Sequence, residues 1–187
     1  MMTKLTLVCA FTFAMHSIFS QTFTDLQCSD LKGLMWSSVD LADMDKDGDL
    51  DILSCGTDAD LNPFTIIYQN NGNDCFKEIE QTFTGVWGGW SGFAKWGDYN
   101  GDGFPDFAIT GKDASGKRIL EIHKNNGDTT FTKLNTTFGG TYSGELNWID
   151  FNNDQKLETE CSRRCSIHCV PTGNHNAKPD DRTPENY

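Results

Sequence analysis

The sequence predicts an all-β fold assembled from repeated four-stranded antiparallel units. Three observations carry this. An acidic nonapeptide recurs at a fixed interval, short apolar runs flank it in the same order each time, and 18 glycines in 187 residues supply tight turns. A composition of 37% hydrophobic and 12% aromatic residues is enough to bury a core in one domain.

The nonapeptide is Asp43-Met44-Asp45-Lys46-Asp47-Gly48-Asp49-Leu50-Asp51. It returns 55 positions later as Asp98-Tyr99-Asn100-Gly101-Asp102-Gly103-Phe104-Pro105-Asp106. A third, degraded copy reads Asp150-Phe151-Asn152-Asn153-Asp154-Gln155-Lys156-Leu157-Glu158. Beyond the loops the register holds: Asn70-Asn71-Gly72 matches Asn125-Asn126-Gly127, Phe76 matches Phe131, and Phe83 matches Phe138. Three extra residues around Val86-Trp87-Gly88 then intervene before Trp90-Ser91-Gly92 matches Tyr142-Ser143-Gly144.

Each unit resolves into four strands. Val39 to Ala42, Phe93 to Trp96 and Leu146 to Ile149 lead into the acidic loops. Asp51 to Cys55 and Asp106 to Thr110 leave them as apolar runs of buried-strand length. Phe64 to Tyr68 and Arg118 to Ile122 come third. Asn71-Gly72 and Asn126-Gly127 predict two-residue type I′ turns, because Asn and Gly accept positive φ. Cys75 to Ile79 and Thr130 to Leu134 are the fourth strands. Four strands in about 50 residues is the size of a propeller blade. After Glu158 the expected apolar strand gives way to Thr159-Glu160-Cys161-Ser162-Arg163-Arg164-Cys165.

Acidic or amide side chains at loop positions 1, 3, 5 and 9 form an oxygen cage suited to a hard cation such as Ca²⁺, which takes six to eight oxygens at about 2.3–2.6 Å. The expected ligands in the first loop are Asp43, Asp45, Asp47 and Asp51, with the carbonyl of Asp49. In the second they are Asp98, Asn100, Asp102 and Asp106, with the carbonyl of Phe104. In the third they are Asp150, Asn152, Asp154 and Glu158, weakened by Gln155 where the turn wants glycine. The alternative for each loop is a polar turn on an acidic surface. A helix-loop-helix site is excluded, because it needs Glu at position 12, where Ser54 and Ile109 stand.

These residues resemble the FG-GAP/VCBS repeats of integrin α-chain propellers and many secreted bacterial proteins. The resemblance rests on Lys95 to Phe107, on Asp40 to Leu53 and on the Asn-Asn-Gly hairpins, and covers residues 22 to 158. It implies four-stranded β-propeller blades with calcium-binding loops, in an incomplete array of two full blades plus parts of others. Thr22-Phe23-Thr24 is similar to Thr130-Phe131-Thr132, as if a blade's last strand opened the mature chain. The function implied is secreted calcium-binding recognition or adhesion toward an extracellular protein or glycan, with structural Ca²⁺ and self-association that would complete the ring. The alternatives are an accessory or catalytic part of a secreted polysaccharide-degrading enzyme, or a truncated, non-functional product.

The ends read differently from the repeats. Residues 1–20 are expected to be a signal peptide, with Lys4 before an apolar run from Leu5 to Phe19 and Ser20 at the cut. That run is too short and interrupted for a membrane span. Repeats occupy 21–158, and 159–187 is expected to be a Cys-rich, disordered tail. A net charge of −12 excludes a nucleic-acid partner. Beyond Cys9, six cysteines (Cys28, Cys55, Cys75, Cys161, Cys165 and Cys169) permit disulfides whose connectivity stays open. Cys55 and Cys75 are expected on non-adjacent strands, too far apart to pair.

Trp36, Trp87, Trp90, Trp96, Tyr99, Tyr142 and Trp148 offer surfaces for sugar rings. Trp96 and Trp148 share a repeat position, which points instead to packing between units, while Trp87 in the Gly85 to Gly89 insertion is the candidate for an exposed contact. His168 and His175 lie near the tail cysteines, whose spacing is unlike a zinc knuckle. Asn135-Thr136-Thr137 is a glycosylation sequon in a eukaryotic context. No nucleophile elbow or phosphate-cradling loop is present, and His123 has no counterpart in the first copy, where Tyr68 stands.

Overall fold

The structure is a computed structural model that describes residues 31–72, 75–87, 92–135, 139–141, 145–150 and 157–161. The signal-peptide segment, the Thr22-Phe23-Thr24 strand, Asn152, Asp154, Trp90, Tyr142 and residues 162–187 lie outside these. Among the described residues there are ten strands and no helix.

The first unit contains β1 (Met35–Ala42), β2 (Asp51–Thr57), β3 (Pro63–Asn70) and β4 (Phe76–Glu78), hydrogen-bonded in chain order as an antiparallel meander. The second repeats it with β5 (Phe93–Gly97), β6 (Asp106–Lys112), β7 (Arg118–Asn125) and β8 (Phe131–Lys133). A two-stranded sheet follows, made of β9 (Leu146–Ile149) and β10 (Glu158–Cys161). β1 to β3 and β5 to β7 span the expected runs, β9 coincides with Leu146 to Ile149, and β4 and β8 stop one residue short of the expected runs at each end; no closed ring is seen among the described residues.

Two expectations need correction. A strand does form after the third loop: Glu158 to Cys161 pair with Ile149 to Leu146. Backbone pairing with β9 suffices there, without the apolar side chains of β2 and β6. The hairpins are also one residue longer than a type I′ turn. Asn71 N donates to Cys75 O (3.1 Å) and Asn126 N to Thr130 O (2.9 Å), which leaves three residues between each closing pair. The cause is local: Gly72 N and Gly127 N donate to the Oδ1 of Asn70 and Asn125 (3.1 and 2.8 Å), so a side chain starts the turn. In the second hairpin Thr129 joins Gly127 at positive φ (63° and 78°).

The period-2 pattern gives each sheet two faces. Cross-strand register places Val39, Leu41, Ile52, Ser54, Ile66 and Tyr68 on one face of the first sheet. The matching face of the second carries Ala94, Trp96, Phe107, Ile109, Glu121 and His123. We call these the leading faces. The second sheet's leading face packs on the first sheet's trailing face in one core containing Leu53, Cys55 and Ile67 with Trp96, Phe107, Ile109 and Phe131. Its own trailing face, with Ala108, Leu120 and Ile122, receives Leu146 and Trp148 of the third sheet. The sheets are therefore stacked in series, leading face on trailing face.

Phe107, fully buried, is the hub of the first interface. Its ring stacks on His123 (4.6 Å) and meets Phe83, Phe131 and Trp96 edge-on at 5.1, 5.1 and 5.7 Å. Such aromatic pairs contribute about 0.5–1.5 kcal/mol each beyond area burial. Asp40 clasps the interface from the first sheet: Trp96 N donates to its Oδ2 (2.9 Å), and Lys95 Nζ lies 3.5 Å from its Oδ1. At the second interface Trp148 Nε1 donates to Lys95 O (3.1 Å). Trp96 and Trp148 thus pack between sheets, as their shared position suggested. Trp87, in contrast, is half-buried with its indole N–H inside, so it is not an exposed contact. Among the described tryptophans Trp36 is the exposed one, at 53%.

Cys55 is a free, buried thiol, and burial pushes its pKa up to about 12. Cys75 is disulfide-bonded, so its partner is not Cys55, as the strand layout required.

Candidate metal centre

Each of the first two acidic loops joins the first two strands of its sheet, and its first and last acids pin it shut. In the first loop Asp43 accepts from Asp47 N (Oδ1, 3.1 Å) and Gly48 N (Oδ2, 3.0 Å). In the second, Asp98 accepts from Gly101 N (2.8 Å), Asp102 N (3.1 Å) and Gly103 N (2.7 Å). Gly48 and Gly103, at position 6, have φ of 98° and 84°, a backbone region that penalises any side chain. This accounts for glycine in both loops.

Asp51 and Asp106, at position 9, are fully buried. The two oxygens of Asp51 accept from Met44 N (2.8 Å) and Asn70 N (2.8 Å). Those of Asp106 accept from Tyr99 N (3.1 Å) and Asn125 N (2.7 Å). Each carboxylate thereby ties its loop to the end of the third strand. Burial raises both pKa values to about 6; the two backbone donors pull the other way, and the neighbouring loop acids push up again.

In the first loop one oxygen each from Asp43, Asp45 and Asp51 lie within 4.8 Å of one another. Three carboxylates at such distances repel by about 3–4 kcal/mol per pair at an effective dielectric near 20, and a divalent cation reverses that sign. Only hard oxygen donors are present, which suits Ca²⁺ and not a thiolate- or imidazole-seeking metal. Asp47 and Asp49 stand outside that trio. Asp47 Oδ1 accepts from Asp49 N (2.9 Å), and Asp45 Oδ2 accepts from Gln69 Nε2 (2.6 Å).

The second loop is arranged differently. Its acids do not gather into such a group among the described residues. Asn100 replaces an acid and donates to Asp102 Oδ2 (3.0 Å), while Asp102 Oδ1 accepts from Phe104 N (3.0 Å). That backbone donor, more than the nearby Lys124 and Lys46, lowers the pKa of Asp102. In the third loop Asp150 is half-buried, Asn152 and Asp154 lie outside the described residues, and Glu158 begins β10.

Sequence reasoning missed the side chain that joins the two loops. Asn125, 1% exposed, donates through Nδ2 to Met44 O of the first loop (2.8 Å) and to Pro105 O of the second (3.0 Å). With Met44 N on Asp51 and Asn125 N on Asp106, a buried hydrogen-bonded path runs from one position-9 carboxylate to the other. Asn70, its counterpart, reaches only Leu50 O (3.3 Å) in an exposed setting. Lys46 reinforces the junction, its Nζ 3.8 Å from the centroid of the Phe104 ring. The Asn-Asn-Gly repeat was the available signal, but only its turn-forming half could be read.

With this geometry in view, the comparison with protein families is decisive. The FG-GAP-like repeat matches residues 43–109 and again 98–158. The chain belongs to the FG-GAP-like repeat family. The two matches begin at Asp43 and Asp98, the first residues of the two acidic loops, so their offset is the period seen in the sequence. No curated protein matches the chain closely.

Proposed function

We propose that this FG-GAP-like chain is an extracellular recognition or adhesion module whose acidic loops hold structural Ca²⁺, without catalysis of its own. The observation that carries the reading is the gathering of Asp43, Asp45 and Asp51 within 4.8 Å, in a loop the family shares. Asp43, Asp45 and Asp51 would hold the ion in the first loop. Asp98, Asn100, Asp102 and Asp106 would be drawn around one in the second, with Asp47, the carbonyls of Asp49 and Phe104, and the third loop's acids completing the set proposed from sequence. The bound ion would neutralise clustered carboxylates and hold β1 to β2 and β5 to β6.

Export is supported by the disulfide at Cys75, a bond that persists in oxidising compartments, and by the signal-like residues 1–20. A protein or glycan is the partner class proposed, by analogy with the family alone. A glycan array read with and without chelator, together with a turnover assay on the bound glycans, tests the function. Chelator-sensitive binding without turnover supports a recognition module. Turnover would place the chain with polysaccharide-degrading enzymes instead, and retention of no glycan or extracellular protein would remove the recognition role.

A further inference from the structure

The stacking of the sheets leaves one leading face and one trailing face without a partner among the described residues, the same two kinds of face that pack on each other inside the chain. On the first sheet's leading face, Val39 and Leu41 are 54% and 52% exposed, and Leu50, just before β2, is 53% exposed. The counterparts of Val39 and Leu41 in the second unit are covered. Ala94, at the position of Val39, is 0% exposed; Trp96, at the position of Leu41, is 8% exposed. Leu146, at the position of Val39 in the third unit, is 1% exposed. The chain thus twice buries on a preceding sheet the position that Val39 exposes on β1, and at the position of Leu41 buries Trp96. The outer part of that face is already covered: Lys32 N donates to Tyr68 Oη (2.9 Å), and Lys32 Nζ sits 3.5 Å over the Phe64 ring.

At the other end, β9 turns Asn147 and Ile149 outward on its trailing face, both exposed, Ile149 at 44%. These occupy the repeat positions of Asp40 and Ala42 on the first sheet and of Lys95 and Gly97 on the second. The established contacts fix what such positions receive. Trp148 lies against Gly97, where an added Cβ would stand 2.5 Å from its Cδ1, and Asp40 accepts from Trp96 N. Applied between molecules, the same register sets Leu41 of one copy on Ile149 of another and brings Asn147 to the Leu41 N–H.

We propose that the chain self-associates head to tail, the β1 leading face of one copy docking on the β9 trailing face of the next in the register of its internal sheet interfaces. The occupant is a second copy of this chain, and the contact is heterologous, so it propagates until geometry closes it. This does not depend on the metal reading.

Sedimentation velocity on the whole chain, over a range reaching roughly 100 µM where weak contacts fill, gives the test, with Leu41→Glu and Ile149→Glu as the probes. The wild type should form dimers and larger species with rising concentration, and each variant alone should stay monomeric, because every copy then lacks the same face. An equimolar mixture should recover a dimer, because one variant keeps an intact trailing face and the other an intact leading face. Val39→Ser repeats the leading-face test with a milder change should Leu41→Glu lower the melting temperature. A wild type that stays monomeric overturns the proposal, as do oligomers indifferent to both substitutions. Loss in both variants without recovery on mixing overturns the head-to-tail geometry.

Discussion

Replacing Asn125 with alanine should destabilise the protein far more than the same change at Asn70, although both open an Asn-Asn-Gly turn. Asn125 makes three side-chain hydrogen bonds: to Met44 O (2.8 Å), to Pro105 O (3.0 Å) and from Gly127 N (2.8 Å). It is 1% exposed, so the groups it leaves behind have restricted access to water. At about 1 kcal/mol for each such bond, and more for a buried group left unpaired, the loss comes to about 3 kcal/mol. Asn70 makes two longer bonds in exposed surroundings, where water can replace it, and its loss should stay near or below about 1 kcal/mol. For a chain of this size 1 kcal/mol moves the melting temperature by about 2–4 °C, so Asn125→Ala should lower it by about 6–12 °C. Thermal melts followed by circular dichroism in saturating calcium measure both. Asn125→Asp sharpens the comparison, because it keeps the acceptor for Gly127 N but turns an oxygen toward two carbonyls, and it should be worse than alanine. Equal losses at positions 70 and 125, or an aspartate that behaves like asparagine, would refute the reasoning that Asn125 bridges the loops.

Three further outcomes are expected. Phe107→Ala removes the ring at the centre of the first interface and should cost about 3–5 kcal/mol, measured by urea denaturation; a cost under about 1 kcal/mol would show that the interface does not depend on it. Gly97→Ala puts a Cβ 2.5 Å from Trp148 and should cost about 1–3 kcal/mol, with a red-shifted tryptophan emission as the third sheet is pushed away; unchanged emission and stability would contradict the close approach. Burial pushes the Glu121 carboxyl up, but His123, Lys133 and Thr84 bond to it and together bring its pKa down to about 2 from 4.5. Its contribution to stability is therefore complete above pH 4.5 and is lost as pH falls toward 2, so Glu121→Gln should flatten that part of the stability–pH curve; an unchanged slope would contradict the assignment.

The strands were legible because each is an apolar run fixed in register by the repeat, and β9 was read to the residue. The start of β1 was not, since Trp36 has φ of 48° and the β1–β2 register shifts between Met35 and Ser38, an irregularity that no periodicity announces. β10 was missed because Glu158-Thr159-Glu160-Cys161 carries no apolar signal and is held by its neighbour's backbone. The loops were legible as oxygen-rich turns, and the first gathers three of its expected ligands. How each acid divides its oxygens between backbone donors and an ion was not, because that depends on Asn70, Asn125 and Gln69, about 20 residues downstream. Pairing across repeats, such as Asn125 with Met44, arises only once the sheets stack.

Isothermal titration of chelator-stripped protein with calcium decides whether these loops hold divalent cations that stabilise the fold. Two sites per chain are expected, the tighter one abolished by Asp45→Asn, with a large fall in melting temperature when chelator is returned. Absence of calcium uptake, with a melting temperature indifferent to chelator, would contradict it.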